Sequence, residues 1–144
     1  VSALNCDESN PYSDMMATKK MYDKTDGIIG FHAYQSFKEG EVTPDIAHEI
    51  GVKLAQEMWN DYEVVVATHQ NTNHIHNHFI INSVSVKTGM KYNNNKTNYA
   101  KLRNISDSLC MEYKLSTLDE EDRYTKCFNK NVLNNHLVFH ILFS

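Results

Sequence analysis

The stretch His69-Gln-Asn-Thr-Asn-His74-Ile75-His76-Asn77-His78 holds four of the chain's eight histidines within ten residues. In an extended segment side chains alternate between faces, so His74, His76 and His78 share one side while Ile75 and Phe79 take the other. Neutral imidazoles bind divalent transition ions well, and two on alternate strand positions plus one from a neighbouring strand form a facial trio with open positions. Open positions suit catalysis, whereas a structural zinc site closes its fourth position with Cys or His. Cys110 is the only cysteine even moderately near in sequence. A lone strand histidine is more often a core residue than a ligand, but a cluster of four is not accounted for that way. A tripod needs three of the four, and His69, His76 and His78 are the expected set.

Residues 62–68, Tyr-Glu-Val-Val-Val-Ala-Thr, are β-branched and uninterrupted, which predicts a central strand covered on both faces that delivers His69 at its end. The short link at 71–73 suits an antiparallel hairpin with a long strand over residues 74–86. A turn at Thr88-Gly89, a short strand near 90–92 and a loop at 93–95 follow. Upstream, Thr43 as cap and Pro44 in the first helical position open an amphipathic helix to Trp59, with Ile46, Ile50, Leu54 and Met58 four apart. Residues 11–24 read as a helix capped by Asn10 with a lysine-rich end, and residues 31–37 alternate as a strand. A last helix over residues 97–114 carries Tyr99, Leu102, Ile105, Leu109 and Tyr113 at helical spacing. The pattern dissolves after Leu118, and the acidic run and apolar end of residues 119–144 have no evident place on the domain.

The chain has 144 residues, 41% hydrophobic and 22% charged, which suits one domain with a real core. No run approaches the ~18 apolar residues that a membrane span needs, and the first residues carry no basic segment leading into an apolar one. Cys6, Cys110 and Cys127 are odd in number and far apart, so neither a disulfide framework nor a thiolate zinc site is expected. These features predict a soluble, unexported protein of the reducing cytoplasm. The start at Val1, without methionine, suggests residues lost upstream.

The formal net charge of −4 argues at first against a polyanionic partner. Its distribution points the other way. Residues 1–61 hold 5 Lys/Arg against 11 Asp/Glu, residues 62–118 hold 6 against 3, and residues 119–144 hold 3 against 4. Lys87, Lys91, Lys96, Lys101 and Arg103 follow the histidines, interleaved with Tyr92 and Tyr99, and are candidates for phosphate contact and base stacking. A solvated basic helix face fits the same pattern.

Several separated segments also agree in order and spacing with one known family: Tyr12-Ser-Asp-Met-Met-Ala-Thr-Lys-Lys20, Phe31-His-Ala-Tyr-Gln-Ser-Phe37, Gly40-Glu-Val-Thr-Pro44, His69 through Asn82, residues 85–92 and Arg103-Asn-Ile-Ser-Asp-Ser-Leu-Cys110. Over about residues 5–118 the chain resembles the plasmid mobilisation relaxases, members of the HUH endonuclease superfamily. The resemblance implies an α+β fold, an antiparallel sheet of about five strands with helices packed on it, over a core at residues 1–118 followed by a divergent tail at 119–144. It implies transesterification, in which a tyrosine hydroxyl nicks single-stranded DNA at a transfer origin and keeps the 5′-phosphate in a covalent link. It places metal ligands on His69, His76 and His78, and second-shell or orienting roles on His74 and Asn82. A divalent ion is implied, Mg²⁺ or Mn²⁺ by family usage, although three imidazoles favour Mn²⁺, Ni²⁺ or Zn²⁺ over the oxygen-seeking Mg²⁺. Accessory relaxosome proteins and a coupling protein are the implied partners.

Two departures stand out. Asn71 occupies the position where the family often has an acidic residue, and the family's tyrosine motif finds no match, which would put the nucleophile before Val1. The eight tyrosines present read more simply as core or surface aromatics. Two other functions fit the same residues: a metal-dependent phosphodiester hydrolase that uses water, for which no carboxylate lies near the histidines in sequence, and a non-catalytic single-stranded DNA- and metal-binding remnant. Rolling-circle replication initiation would share the tripod without the flanking segments.

Overall fold

Three helices begin where the sequence supplies a capping side chain. In the computed structural model, which describes residues 1–70, 74–117 and the strand at 137–143, Asn10 accepts from the Ser13 N–H at the start of α1 (Pro11–Met21), with Pro11 at the first position. Thr43 does the same for Ile46 at α2 (Pro44–Trp59), and Asn95 for Asn98 at α3 (Lys96–Glu112). Between them run β1 (Ser2–Leu4), β2 (Ile28–Ser36), β3 (Val64–His69), β4 (His76–Asn82) and β5 (Leu137–Phe143). They form one antiparallel sheet in the order β1-β3-β4-β2-β5. The α+β architecture expected from the resemblance is thus the one observed. The apolar end of the chain, unplaced by its sequence, supplies the edge strand beside β2.

The sheet has two unlike faces. On one, Phe31, Ala33, Val64, Val66, Phe79 and Ile81 pack against Ile50, Leu54, Met58 and Trp59 of α2 and Leu102 and Leu109 of α3. The other face of β3 is only half-covered, at Val65 and Ala67, and Ile80 beside them is exposed. The β-branched run therefore does not mark a strand covered on both sides; only its Val64 and Val66 positions are buried in the core. The predicted long strand over 74–86 is also shorter. It stops at Asn82 because β3, its partner, has run out at Val64, and the expected strand at 90–92 reduces to a single bridge between Val84 and Lys91.

The buried stripe of α2 is rotated from the one the large residues suggested. Ile46 is exposed, while Ala47, Gly51 and Ala55 join Ile50, Leu54 and Met58 inside. Small residues face the sheet because the helix lies almost on it: a Cβ on Gly51 would come 2.6 Å from the Asn77 Nδ2 and 3.1 Å from Val66. Asn77 cannot give way easily. Its amide is fully buried, accepts from the Thr68 hydroxyl at 2.7 Å, and donates to the Ala47 carbonyl at 2.7 Å and to Gln35 Oε1 at 3.1 Å.

These bonds extend into a directional chain. Thr68 spends its proton on Asn77, so it must accept from His48 Nδ1–H at 2.8 Å, and His48 Nε2 then accepts from the Ser2 hydroxyl at 2.7 Å. At the other end Gln35 donates to the Ser106 hydroxyl at 2.8 Å. One polar thread thereby ties β1, α2, β3, β4, β2 and α3 together.

Gly51→Ala tests the close approach. Helix propensity alone would favour Ala by about 1 kcal/mol, whereas overpacking against a fixed amide costs about 1–3 kcal/mol. Net destabilisation is expected as a lowered urea midpoint, and a raised midpoint would refute the contact. A second test uses His48, whose pKa burial holds below the ordinary value. A depressed base binds protons better in the unfolded chain, so this contribution is full above about pH 6.5 and is lost as pH falls below that. His48→Gln should flatten the decline of melting temperature with acidification in that window, and parallel profiles for the two chains would show the burial to be without effect.

Candidate metal centre

Strand register brings the histidines together. His69 lies directly opposite His76 across the β3–β4 pair, and His78 stands two positions along β4 on the same face, opposite Ala67. The three rings sit 4.5–5.2 Å apart by centroid, and one nitrogen from each lies within 4.8 Å of the others. His69 is exposed at the strand end, His78 half-buried and His76 buried. The set expected from sequence is thus the set that converges.

Two contacts orient the rings. His76 Nδ1 is 3.0 Å from the His74 carbonyl, an acceptor only, so the ring carries its proton on Nδ1 and keeps its lone pair on Nε2. His78 Nδ1 meets His32 Nε2 of β2 at 2.7 Å. Burial, and then the neighbouring imidazoles of His69, His32 and His76, push the His78 pKa down to about 4, so this ring is neutral at physiological pH with a lone pair to offer. Across β2, Tyr34 is the register partner of His78, and its ring lies 5.1 Å from that of His76 and 5.3 Å from that of His78. Ser36, opposite His76, has a buried hydroxyl without a partner among the described residues.

This donor set fits a divalent transition ion. Nitrogens bound at about 2.1 Å to one ion lie roughly 3–4 Å from one another, so a modest closing movement suffices. The residues that would hold the ion are His69, His76 and His78, and an imidazole in its neutral form need lose no proton to bind.

Other expected residues stand elsewhere. Asn82 shares the histidine face but lies four residues beyond His78, roughly 13 Å along the strand, under α1. There it accepts from the Lys19 ammonium and donates to Glu63 Oε2 at 2.5 Å and to the Met15 carbonyl at 3.1 Å. Glu63 also accepts from the Thr18 hydroxyl at 2.9 Å. His74 approaches the site through its carbonyl. Asn71 falls outside the described residues.

The five cations do not gather at the imidazoles. Lys87 pairs with Asp61 at 3.0 Å and Lys91 donates to the Asp26 carbonyl at 3.2 Å. Arg103 donates to the Tyr99 hydroxyl at 3.2 Å, with its guanidinium 5.7 Å from that ring. Lys96 and Lys101 are exposed on α3, which packs on the opposite face of the sheet.

Sequence reading missed His32, Tyr34 and Ser36. Their signal was present, since alternation along residues 31–37 sets them on the face opposite Phe31, Ala33, Gln35 and Phe37. What was lacking was the pairing of that strand with the histidine strand.

Comparison with known proteins agrees with this geometry. Residues 1–115 match the family model described as relaxase, MobA/VirD2-like, nuclease domain. A protein named Rlx from Staphylococcus aureus is 43% identical over 135 residues, covering 92% of this chain and 41% of the relative. Another Rlx from the same organism is 39% identical over 128 residues, covering 87% and 41%. The group II intron-interrupted relaxase LtrB of Lactococcus lactis subsp. cremoris is 28% identical over 138 residues, covering 80% and 24%. The chain thus spans about 41% of the length of the staphylococcal relatives. The family match ends near the boundary read at 118, while coverage of 92% carries the first Rlx match beyond it. No solved structure gives a significant match. The three-histidine face and the match across residues 1–115 together make this chain a member of the MobA/VirD2-like relaxase nuclease-domain family.

Proposed function

We propose that this domain nicks single-stranded plasmid DNA at a transfer origin by metal-assisted transesterification, with a tyrosine supplied from sequence upstream of Val1. The observation that carries the reading is the convergence of His69, His76 and His78 on the sheet face opposite α2 and α3 in a relaxase-family chain. A divalent ion bound there supplies Lewis-acid polarisation of a non-bridging oxygen of the scissile phosphate. The chain's own residues set the geometry: His76 and His78 are aimed by their Nδ1 contacts, and His69 at the exposed end admits the phosphate from solvent. The half-covered floor of Val65, Ala67 and Ile80 lets an extended strand lie along the sheet, with Tyr34 at its edge. Lys87, Lys91, Lys96, Lys101 and Arg103 hold parts of the DNA away from the reacting phosphate, so they set affinity and salt dependence rather than chemistry. Accessory DNA-binding proteins and a coupling protein complete the assembly in the whole protein.

Glu63 weighs against hydrolysis by water. It is the carboxylate nearest the histidine strands in sequence, and it is buried and bonded to Thr18 and Asn82 at the far end of β3.

The test mixes the chain, with and without an upstream tyrosine-bearing extension, with Mn²⁺ and labelled single-stranded origin DNA, and reads cleavage and covalent adduct on a denaturing gel. The extended chain should form an adduct that His76→Ala abolishes, while residues 1–144 alone bind DNA without adduct. Adduct from 1–144 alone would move the nucleophile inside the chain, with Tyr34→Phe the first variant to examine, and free 5′-phosphate ends without adduct would establish hydrolysis instead. Calorimetric titration of the chain without DNA should show Mn²⁺, Ni²⁺ or Zn²⁺ binding more tightly than Mg²⁺. Equal or tighter Mg²⁺ binding would refute the imidazole-only site.

A further inference from the structure

Of the two contacts that aim the site's rings, one is decided by chemistry and the other is not. A carbonyl can only accept, so the His74–His76 contact fixes His76 by itself. The His32–His78 contact joins two imidazoles, either of which can donate. Their planes lie within 11° and their centroids are 5.0 Å apart, close to the hydrogen bond length plus the two distances from ring centre to nitrogen. The rings are therefore arranged edge to edge, nearly in one plane, so that the shared hydrogen lies along a lone pair, as a good hydrogen bond requires. They are not stacked face to face.

A neutral imidazole has one N–H and one lone pair. If His78 donates from Nδ1 to His32 Nε2, its own Nε2 carries the lone pair for an ion shared with His69 and His76. If His32 donates instead, His78 carries its proton on Nε2, and that nitrogen is closed to a metal. His32 is not itself placed as a ligand beside His78 Nδ1, since 2.7 Å is too short for two nitrogens of one ion, which stand roughly 3 Å or more apart.

Resting on the metal-centre reading, we propose that His32 is a positioning residue of that centre: its Nε2 accepts the Nδ1–H of His78 and so selects the His78 tautomer that binds the ion. His32 thereby does from β2 what the His74 carbonyl does for His76, through a partner whose own protonation pattern is switchable. It is half-buried, on the open face and off the packed core, so its replacement leaves the fold's main contacts in place. Outer partners of metal-binding imidazoles commonly change metal affinity by about 10- to 100-fold.

The test measures Zn²⁺ affinity of the 144-residue chain by chelator competition in four forms: unsubstituted, His76→Ala, His32→Ala and His32→Gln. Ring-nitrogen NMR of the Zn²⁺-loaded chain adds a signature that packing alone would not move. The expected result is tight binding by the unsubstituted chain, loss in His76→Ala, and about 10- to 100-fold weakening in His32→Ala. His32→Gln, whose Oε1 sits near the place of Nε2 and can only accept, should restore most of the affinity. The spectrum should show a protected His78 Nδ1–H in the unsubstituted and Gln forms and rapid exchange in the Ala form. Unchanged affinity and an unchanged His78 signal in His32→Ala would overturn the role of His32 while leaving the metal centre standing. Gln as weak as Ala, at equal helix and strand content, would also overturn it, by showing that the acceptor is not what matters. Absence of Zn²⁺ binding in the unsubstituted chain, or full binding in His76→Ala, would bring down the metal reading and the His32 role with it.

Discussion

The buried amide of Asn77 is the interaction on which the rest of the structure depends. It stands between His76 and His78 in β4 and points to the opposite face, where it accepts from Thr68 and donates to Gln35 and to the Ala47 carbonyl of α2. Fully buried, it cannot trade these partners for water, and each bond left unmade would cost about 1–3 kcal/mol. A one-residue slip of β4 would bring Asn77 to the open face and carry both histidines into the core. The contact that docks α2 on the sheet is thus also the contact that holds two imidazoles outward. Gly51 belongs to the same arrangement, because a side chain there would occupy the space of the amide.

The open face is divided between two polar groups with different fates. At one end α1 covers Glu63 and Asn82, and Lys19 lies buried with them. Burial lowers the Lys19 pKa while the Glu63 carboxylate opposes the shift, so this end is a closed, mutually satisfied cluster that anchors the helix. At the other end the imidazoles are left uncovered by the helices. Burial there, with the neighbouring imidazoles, lowers the His78 pKa and keeps that ring neutral, as a metal ligand must be. The same physical effect therefore builds an anchor at one end of the strands and keeps a ligand site ready at the other.

Much of the helical framework was legible in the sequence because its signals are local. Asn10, Thr43 and Asn95 bond to backbone three residues away, and Pro11 and Pro44 fix the first turns, so these starts need no knowledge of the rest of the chain. Burial was less legible. Ile46 looked like the head of the α2 stripe and is exposed, because the distance of α2 from the sheet is set by Asn77 and favours small residues at the contact. The valine run of β3 looked doubly covered because β-branched residues suit any strand, and nothing local reveals that a face has been left open.

The sequence by itself determined that three imidazoles would stand together, since alternation along a strand and a short link to its neighbour leave His69, His76 and His78 little choice of side. It also determined the family, through segments spread over most of the chain. Only the tertiary structure decided what surrounds those imidazoles. The pairing of β2 with β4 sets His32, Tyr34 and Ser36 beside them, and the packing of α1 buries Asn82 and Glu63 at the far end of the same face. Alternation is a property of one strand, fixed by backbone geometry. Which strands become neighbours, and which face a helix covers, are settled by burial across residues distant in sequence, and no local pattern encodes them.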